Sequence, residues 1–431
     1  MWIGIDDTDS RREMCSTYIG FLMSGRFSEY MNSFPRLVRL NPNLPFKTRG
    51  NGAVSIEFCS HAAENTEPLR IGKLDGKDLA ISGERCSTSR QDDIFNVGIE
   101  YVKKYGVKNE VNTNPGMVMS GTQFEEEIYK EALSREMKIG DVRKRIEGPG
   151  SRIYTEGNGR GIIGSSAAIA WRKRKVTYEL ISYKYPHPDL IDDDVKRRVG
   201  DIAESFGTTF NNIDRENGAV SLFPRERTPV IYGIRGTDPV DLLKIQSIIE
   251  SEYPEFGMNY IIFETNQGTD DHIEFMPARM LEAGSYMIQC TVSSVPRREK
   301  GGHLKFHGIY RGEDITLIAF EPSKKFRTRI EVLRPGDFID VYGSYGKGSL
   351  KIEKIDVRAQ ARLFQRVVPD CPVCGERTKN CGNLLYKCPE CGHMVPPSYE
   401  EVKREPILGR YEPPVSARRH LSMPWKLEGK L

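Results

Sequence analysis

The sequence predicts a multidomain protein of mixed α/β and α+β class, and three observations carry that reading. An N-terminal region alternates strand-like and helix-like segments. A middle stretch follows the order β-α-β-β-α-β. A third region holds five short, turn-punctuated strands and leads into two C-x-x-C pairs. At 431 residues the chain has room for two to four domains. Its AVILMFWYC content of 38%, with 40 glycines, is ordinary for a globular protein. No apolar run reaches the roughly 20 residues of a membrane span and no leader-like segment precedes the first strand, so a cytoplasmic protein is expected. A formal net charge of +3 is too small to define a nucleic-acid binder, so local charge must decide.

Residues 1–174 form the first region, with strands expected at 1–5, 37–40 and 53–56 and helices at 92–105 and 123–146. The first strand ends in Asp6-Asp7-Thr8-Asp9-Ser10, three carboxylates within four residues. Such acids repel one another unless they share a cation or are well solvated. Mg²⁺ suits them, because it takes hard oxygen ligands and enters sites through carboxylates and substrate phosphates. A helix beginning near Cys15-Ser16-Thr17 would add an N-terminus for phosphate. The plainer alternative is a polar turn in which Asp9 or Ser10 caps that helix. Ser16 and Thr17 stand where a nucleophile would, although hydroxyls at a helix start are commonly caps. Two glycine-rich loops, Lys47-Thr48-Arg49-Gly50-Asn51-Gly52 and 157–164 with Gly159, Arg160 and Gly161, offer cationic clamps for phosphate; the plainer alternatives are a tight turn and solvated surface charge. The second lacks the lysine spacing of a Walker A loop.

Residues 175–270 read as strand 177–183, helix 191–206, strands 219–223 and 230–234, helix 239–252 and strand 260–264, a ferredoxin-like order. Residues 284–360 hold strands at 286–292, 304–310, 315–320, 338–342 and 350–355, which fits an OB-type barrel. Between 295 and 335 ten Lys/Arg face five Asp/Glu, with Tyr310, Phe320 and Phe326 interleaved as base-stacking candidates or as barrel core. In residues 366–396, Cys371-Pro-Val-Cys374 and Cys388-Pro-Glu-Cys391 are two knuckles whose four thiolates suit tetrahedral Zn²⁺ in a zinc ribbon, each followed by a turn glycine. Five of the nine cysteines lie between 371 and 391, which favours a metal site over a disulfide framework. Cys381 is supernumerary. Residues 397–431 form a C-terminal tail.

Several blocks resemble the archaeal isoleucine-tRNA agmatidine synthases, the 2-agmatinylcytidine synthetases. They are Gly4-Ile5-Asp6-Asp7-Thr8-Asp9-Ser10, Phe34 to Pro42, Lys47 to Gly52, Thr113-Asn114-Pro115-Gly116, Tyr232-Gly233-Ile234-Arg235-Gly236, Ala319-Phe320-Glu321-Pro322 and Ser416 to Leu421. The likeness runs from the first residue to the tail. It implies a kinase-like ATP-binding domain followed by ferredoxin-like, OB-fold and zinc-ribbon domains. It also implies a ligase that uses ATP, Mg²⁺ and Zn²⁺. ATP would phosphorylate the 2-carbonyl oxygen of the wobble cytidine in an isoleucine tRNA with a CAU anticodon. Agmatine's amine would then displace that oxygen, leaving AMP and phosphate and a tRNA that reads AUA.

The resemblance makes Asp6, Asp7, Asp9 and Ser16 the expected catalytic set. ATP binding is expected from Thr8, Ser10, Lys47, Arg49, Gly50, Asn51, Gly159, Arg160 and Gly161. Asp270 or Asp271 is expected to contact agmatine. Lys324, Lys325 and Arg327, joined by Arg418, Arg419 and His420, are expected to hold tRNA phosphates. Ser16 replaces a threonine that the family phosphorylates, and Glu13 stands where the family has glycine. No membrane or obligate protein partner is implied. A non-enzymatic nucleic-acid-binding protein would explain residues 284–396 but leave the acidic turn idle. A small-molecule phosphotransferase would leave the C-terminal half idle.

Overall fold

The computed structural model describes all residues except 11–12, 46–49, 60–67, 108–109, 111, 187–189, 225–226 and 383. Lys47 and Arg49 therefore lie outside the described residues. The N-terminal region contains β1 (Trp2–Asp6), β2 (Arg36–Arg39), β3 (Gly52–Glu57), β4 (Leu69–Leu74), β5 (Lys77–Ile81), β6 (Gly116–Ser120) and β7 (Arg152–Thr155). Its helices are α1 (Ser16–Arg26), α2 (Thr88–Tyr105), α3 (Glu126–Ser134), α4 (Ile139–Ile146) and α5 (Gly161–Ala170). β1 runs antiparallel to β3 on one side and β6 on the other. Its side chains alternate: Ile3 and Ile5 join the core with α1 and α2, and Trp2 joins the core with α3, α4 and α5. Gly4 has no Cβ, so the Ser165 carbonyl of α5 can lie against the strand. The helix expected over 123–146 is two helices. Arg135 adopts extended backbone and Met137 turns into the core, which buries apolar faces that one straight rod would leave exposed.

The middle region comprises β8 (Thr177–Tyr183), α6 (Asp193–Glu204), β9 (Thr209–Phe210), β10 (Ile213–Asp214), β11 (Ala219–Val220), β12 (Val230–Gly236), α7 (Pro239–Glu252) and β13 (Tyr260–Thr265). In space the strands run β13-β8-β12-β9, antiparallel throughout. The strand expected at 219–223 is not in this sheet. Thr209–Phe210 takes that edge, while Ala219–Val220 pairs only with Ile213–Asp214. Beyond Val220 the Leu222 carbonyl accepts the Gly233 N–H of β12 (2.9 Å) without extending a ladder. Residues 221–224 wall a cavity, and Pro224 has no N–H with which to continue a ladder.

The first two regions share a sheet. β13 pairs in parallel with β2, Glu264 opposite Arg36 and Thr265 opposite Leu37, so eleven strands form one sheet. Arg36 is buried at this seam, 4.2 Å from the Trp2 ring centroid and 4.0 Å from Glu264. One apolar core contains Ile3 and Phe21 together with Ile181, Ile234 and Ile261.

The next region contains β14 (Ile273–Phe275), β15 (Ser285–Val292), β16 (Arg297–Arg298), β17 (Leu304–Tyr310), β18 (Glu313–Ala319), α8 (Lys325–Ile330), β19 (Phe338–Gly346) and β20 (Ser349–Ala359). Five of these strands close a barrel in the circuit β15-β17-β18-β20-β19-β15, with β18 parallel to β20. They match the five strands expected from sequence. Tyr310 and Phe326 are buried in the barrel core, so of the three stacking candidates only Phe320 is exposed.

β21 (Leu363–Val367) leaves the barrel and pairs with β25 (Ser398–Val402), forming a stem. The stem carries a three-stranded unit of β22 (Lys379–Gly382), β23 (Leu385–Lys387) and β24 (Met394–Val395). β26 (Gly409–Tyr411) then returns to pair with β20. Cys59 and Cys86 form a disulfide between the end of β3 and the approach to α2, a pairing that the metal-site reading of the cysteines did not anticipate. No helix among the described residues is long and apolar enough to cross a membrane.

Candidate active site

β1 is held between two strands, so the acids at its end sit on a fixed platform. Asp7 takes left-handed backbone (φ 59°), which turns the chain sharply out of the strand. The Thr113-Asn114-Pro115-Gly116 block braces that turn. Thr113 Oγ1 donates to the Asp9 carbonyl (2.8 Å), and the Asn114 N–H donates to Asp7 Oδ2 (3.0 Å). The Asn114 carbonyl and Oδ1 accept from the N–H groups of Gly161 and Asn158, both at 3.0 Å. The loop before α5 is thereby fastened to the acidic turn.

Thr8 lies buried beneath the turn and donates from Oγ1 to Ser16 Oγ (2.9 Å), orienting the hydroxyl at the start of α1. Cys15 Sγ and Thr17 Oγ1 lie 2.9 Å apart. Ser10 is also buried, its Oγ accepting the Glu13 N–H (3.2 Å), while Glu13 itself is exposed. Burial pushes the Asp6 carboxyl well above its usual range, and the neighbouring Asp7 charge adds to this. Burial also raises Asp7, to about 7, against the Asn114 N–H and the charge of Arg160, with Asp9 pushing the same way as burial. These acids are costly to ionise without a cation.

The glycines after residue 156 act mainly by allowing close approach. Gly161 abuts the backbone of Gly116 and the Asp6 carbonyl, and a Cβ at Gly164 would overlap the Asp6 carboxylate. Gly164→Ala should displace Asp6, cutting turnover at least about tenfold and stability by about 1–3 kcal/mol. Steady-state assays and urea unfolding check this; parental turnover would show that Asp6 tolerates the shift.

Asp6, Asp7, Asp9, Ser16, Gly50, Asn51 and Arg160 line one cavity of about 580 Å³. Arg160 also lies 3.6 Å from Glu136. Thr8, Ser10, Gly159 and Gly161 are not among the lining residues of this cavity. The opposite wall holds residues without an expected role. Glu179 lies 3.5 Å from Arg39 and 3.2 Å from Arg235, and its carboxylate accepts from Gln267. Gln267 Oε1 also accepts from Arg235 (3.1 Å) and lies 3.0 Å from His420 Nδ1. Arg39 and Arg235 belong to blocks that carry the family resemblance, but their convergence on Glu179 requires the β2–β13 seam.

Arg418, Arg419 and His420 line this same cavity. Arg418 donates to the Pro413 carbonyl (2.8 Å) and to Asn211 (2.9 Å), and pairs with Glu412 (2.8 Å). Arg327 does not fit a phosphate clamp: it is buried, donates to the Gly302 carbonyl and pairs with Glu321 at 3.2 Å. Lys324 donates to Asn217 (2.6 Å), whereas Lys325 is exposed at the start of α8.

Asp270 and Asp271 lie outside the cavity lining. Asp270 is buried, pairing with Lys354 (2.5 Å) and accepting the Met423 N–H (2.7 Å); Asp271 accepts from Tyr129 (2.8 Å). Both carboxylates are committed to packing, which corrects the expectation of an agmatine contact.

Cys371, Cys374, Cys388 and Cys391 bring their sulfurs within 4.8 Å of one another, a group able to hold a metal ion. Gly375 (φ 76°) and Gly392 (φ 73°) supply the turns. Cys381 stands apart, its thiol directed at the Leu385 carbonyl (3.3 Å). No second such group of three ligands converges among the described residues. Asp6, Asp7 and Asp9 do not form such a group of three among the described residues.

Comparison with known proteins agrees with this architecture. Residues 2–158 match the family model "TiaS TCKD domain" and residues 159–272 match "TiaS FLD domain". The 2-agmatinylcytidine synthetase TiaS of Thermoplasma volcanium, named for the second isoleucine tRNA, is 40% identical over 429 residues, covering 99% of this chain and 97% of the relative. The enzyme of the same name from Archaeoglobus fulgidus is 33% identical, covering 98% and 96%. The crystal structure of TiaS in complex with that isoleucine tRNA and ATP superposes with a TM-score of 0.79 at 31% identity, covering 99% of this chain and 97% of that one. A complex of TiaS with the same tRNA, AMPCPP and agmatine gives 0.78 at 30% identity, covering 99% and 96%. Full-length likeness at up to 40% identity, with family models over residues 2–158 and 159–272, shows that this chain belongs to the TiaS family of isoleucine-tRNA 2-agmatinylcytidine synthetases.

Proposed function

We propose that this protein ligates agmatine to the 2-carbon of the wobble cytidine in the CAU anticodon of isoleucine tRNA, driven by ATP. The observation that carries this is the single cavity in which Ser16 and the acids of the β1 turn face a wall from the middle region and the C-terminal segment. The full-length relatives and the solved tRNA, ATP and agmatine complexes of the family support the same substrates.

In this reading the N-terminal region is the kinase-like ATP domain, and the middle region is ferredoxin-like. Asp6, Asp7 and Asp9 would hold Mg²⁺ through one or two carboxylates completed by ATP phosphates, as that ion prefers. Bound there, Mg²⁺ would offset the charge of the triphosphate. Arg160, Gly50 and Asn51 lie where they can meet phosphate oxygens, and Lys47 and Arg49, adjacent to Gly50 in sequence, are proposed to join them. Ser16 Oγ, fixed by Thr8, is the phosphoryl acceptor that stands in for the family threonine. The apolar wall of Val220, Leu222 and Phe223 suits the methylene chain of agmatine. The barrel is an OB fold that binds tRNA, and the ribbon thiolates hold Zn²⁺.

Mass spectrometry of nucleosides after incubation with ATP, agmatine and the tRNA transcript tests the reaction. Agmatidine should appear, and AMP should accumulate only when all three substrates are present. AMP formed with agmatine alone would favour a small-molecule phosphotransferase; tRNA binding without AMP would favour a binding protein.

A further inference from the structure

The seam between the barrel and the N-terminal region converges on Arg419. Its Nη1 donates to Asn43 Oδ1 (2.7 Å), its Nη2 donates to Ser344 Oγ of β19 (3.1 Å), and its Nε lies 3.1 Å from Glu353 Oε1 of β20. Three nitrogens of one planar group thus meet two bodies. Lysine, a single point donor, cannot reproduce that fork. Glu353 is buried, and its second oxygen lies 3.0 Å from His272 Nε2 at the end of the middle region. Asn43 also donates to the Ala283 carbonyl (3.0 Å) and to Ser285 Oγ (3.2 Å), so this loop is fixed to the first barrel strand.

Asn51 donates to the Asn41 carbonyl (2.7 Å), and Asn51 and Gly50 line the cavity together with Arg419. A second clamp lies beside the first. Lys354 of β20 pairs with Asp270 and donates to the Met423 carbonyl (2.8 Å), between the rings of Tyr342 and Trp425. The segment after Pro414 therefore straps the barrel to the wall of the cavity.

We propose that Arg419 is a positioning residue that sets the barrel relative to the cavity, so that an RNA held by the barrel presents its base at the acidic turn. The inference rests on the reading of tRNA as substrate. A wobble base must be drawn out of its stack, at a cost offset by contacts elsewhere on the RNA. Those contacts speed the reaction only if the two sites keep a fixed separation, because an offset of about 1 Å can cost about a hundredfold in rate.

The test compares Arg419→Ala, Arg419→Lys, Glu353→Gln and the Arg419→Ala/Glu353→Gln double variant with the parent. It measures tRNA and ATP dissociation constants and single-turnover agmatidine formation at saturating tRNA. Glu353 does not line the cavity, so its effect must travel through the seam. Each single variant should lower the rate about 10- to 100-fold, with both dissociation constants within about twofold of the parent. The double variant should be no slower than the worse single one.

A parental rate in Arg419→Ala overturns the proposal. So does a loss expressed as weaker tRNA binding, which would make Arg419 an RNA contact. Full rescue by lysine would mean that charge alone suffices, and an additive double variant would mean that the two residues act separately. Asn43→Ala and Ser344→Ala each remove one arm; should Arg419→Ala fail to fold, a parental rate in both would reject the proposal. Parent protein that makes no agmatidine would fail the functional reading itself and take this inference with it.

Discussion

Replacing Asp6 or Asp7 with Asn should lower turnover about a hundredfold or more while raising the thermal stability of the ligand-free protein at pH 8. The two effects have one cause. Both carboxyls are raised by burial and by neighbouring acids, Asp7 to about 7. In the unfolded chain each titrates near 3.8. Between that value and about 7 the folded Asp7 keeps a proton that the unfolded chain has lost, so stability falls as pH rises through the window. Above it the full penalty remains, on the order of a few kcal/mol. Asn removes the charge but retains an oxygen to accept the Asn114 N–H. The variant should therefore melt above the parent at pH 8 and closer to it at pH 5. Saturating Mg²⁺-ATP should stabilise the parent more than the variant. Unchanged melting at both pH values, or parental turnover in either variant, would remove these acids from the site.

Stripping metal from the cysteine cluster, or changing Cys371 to Ser, should unfold the ribbon and leave the catalytic half intact. Within the ribbon Cys371, Tyr386, Cys388 and Val395 are buried, while Val373, Leu384, Leu385 and Met394 are exposed. So small an interior cannot sustain a fold, and a structural Zn²⁺ site of four thiolates supplies roughly 10–16 kcal/mol of apparent binding free energy instead. Metal analysis should give one zinc per chain. Cys371→Ser should become protease-sensitive between β21 and β25, with its tRNA Michaelis constant raised at least about tenfold and its ATP affinity unchanged. Zinc-free protein with a protease-resistant ribbon would overturn this.

The local patterns are legible in the sequence because local chemistry fixes them. Alternation in β1, the five barrel strands and the C-x-x-C spacing each depend on near neighbours, so residue order alone places the barrel and the cysteine cluster. The acids of the first turn are legible for the same reason: an apolar strand ending in three carboxylates is anomalous at short range. Arg327 and Asp270 mislead because a charged side chain looks the same in sequence whether it meets solvent or a buried partner. Only folding brings Glu321 to the first and Lys354 to the second.

The tertiary structure alone decided that two regions share one sheet. The β2–β13 pairing joins Arg36 to Glu264 and Leu37 to Thr265, far apart in the chain, and no periodicity encodes it. That seam brings Arg39 and Arg235 to Glu179, and the returning strap brings Arg418, Arg419 and His420 to the same cavity. The sequence by itself determined which groups could do chemistry, because residue type and short spacing set valence and charge. The fold decided which of them meet, because burial and hydrogen bonding between distant segments select the partners of each charged group.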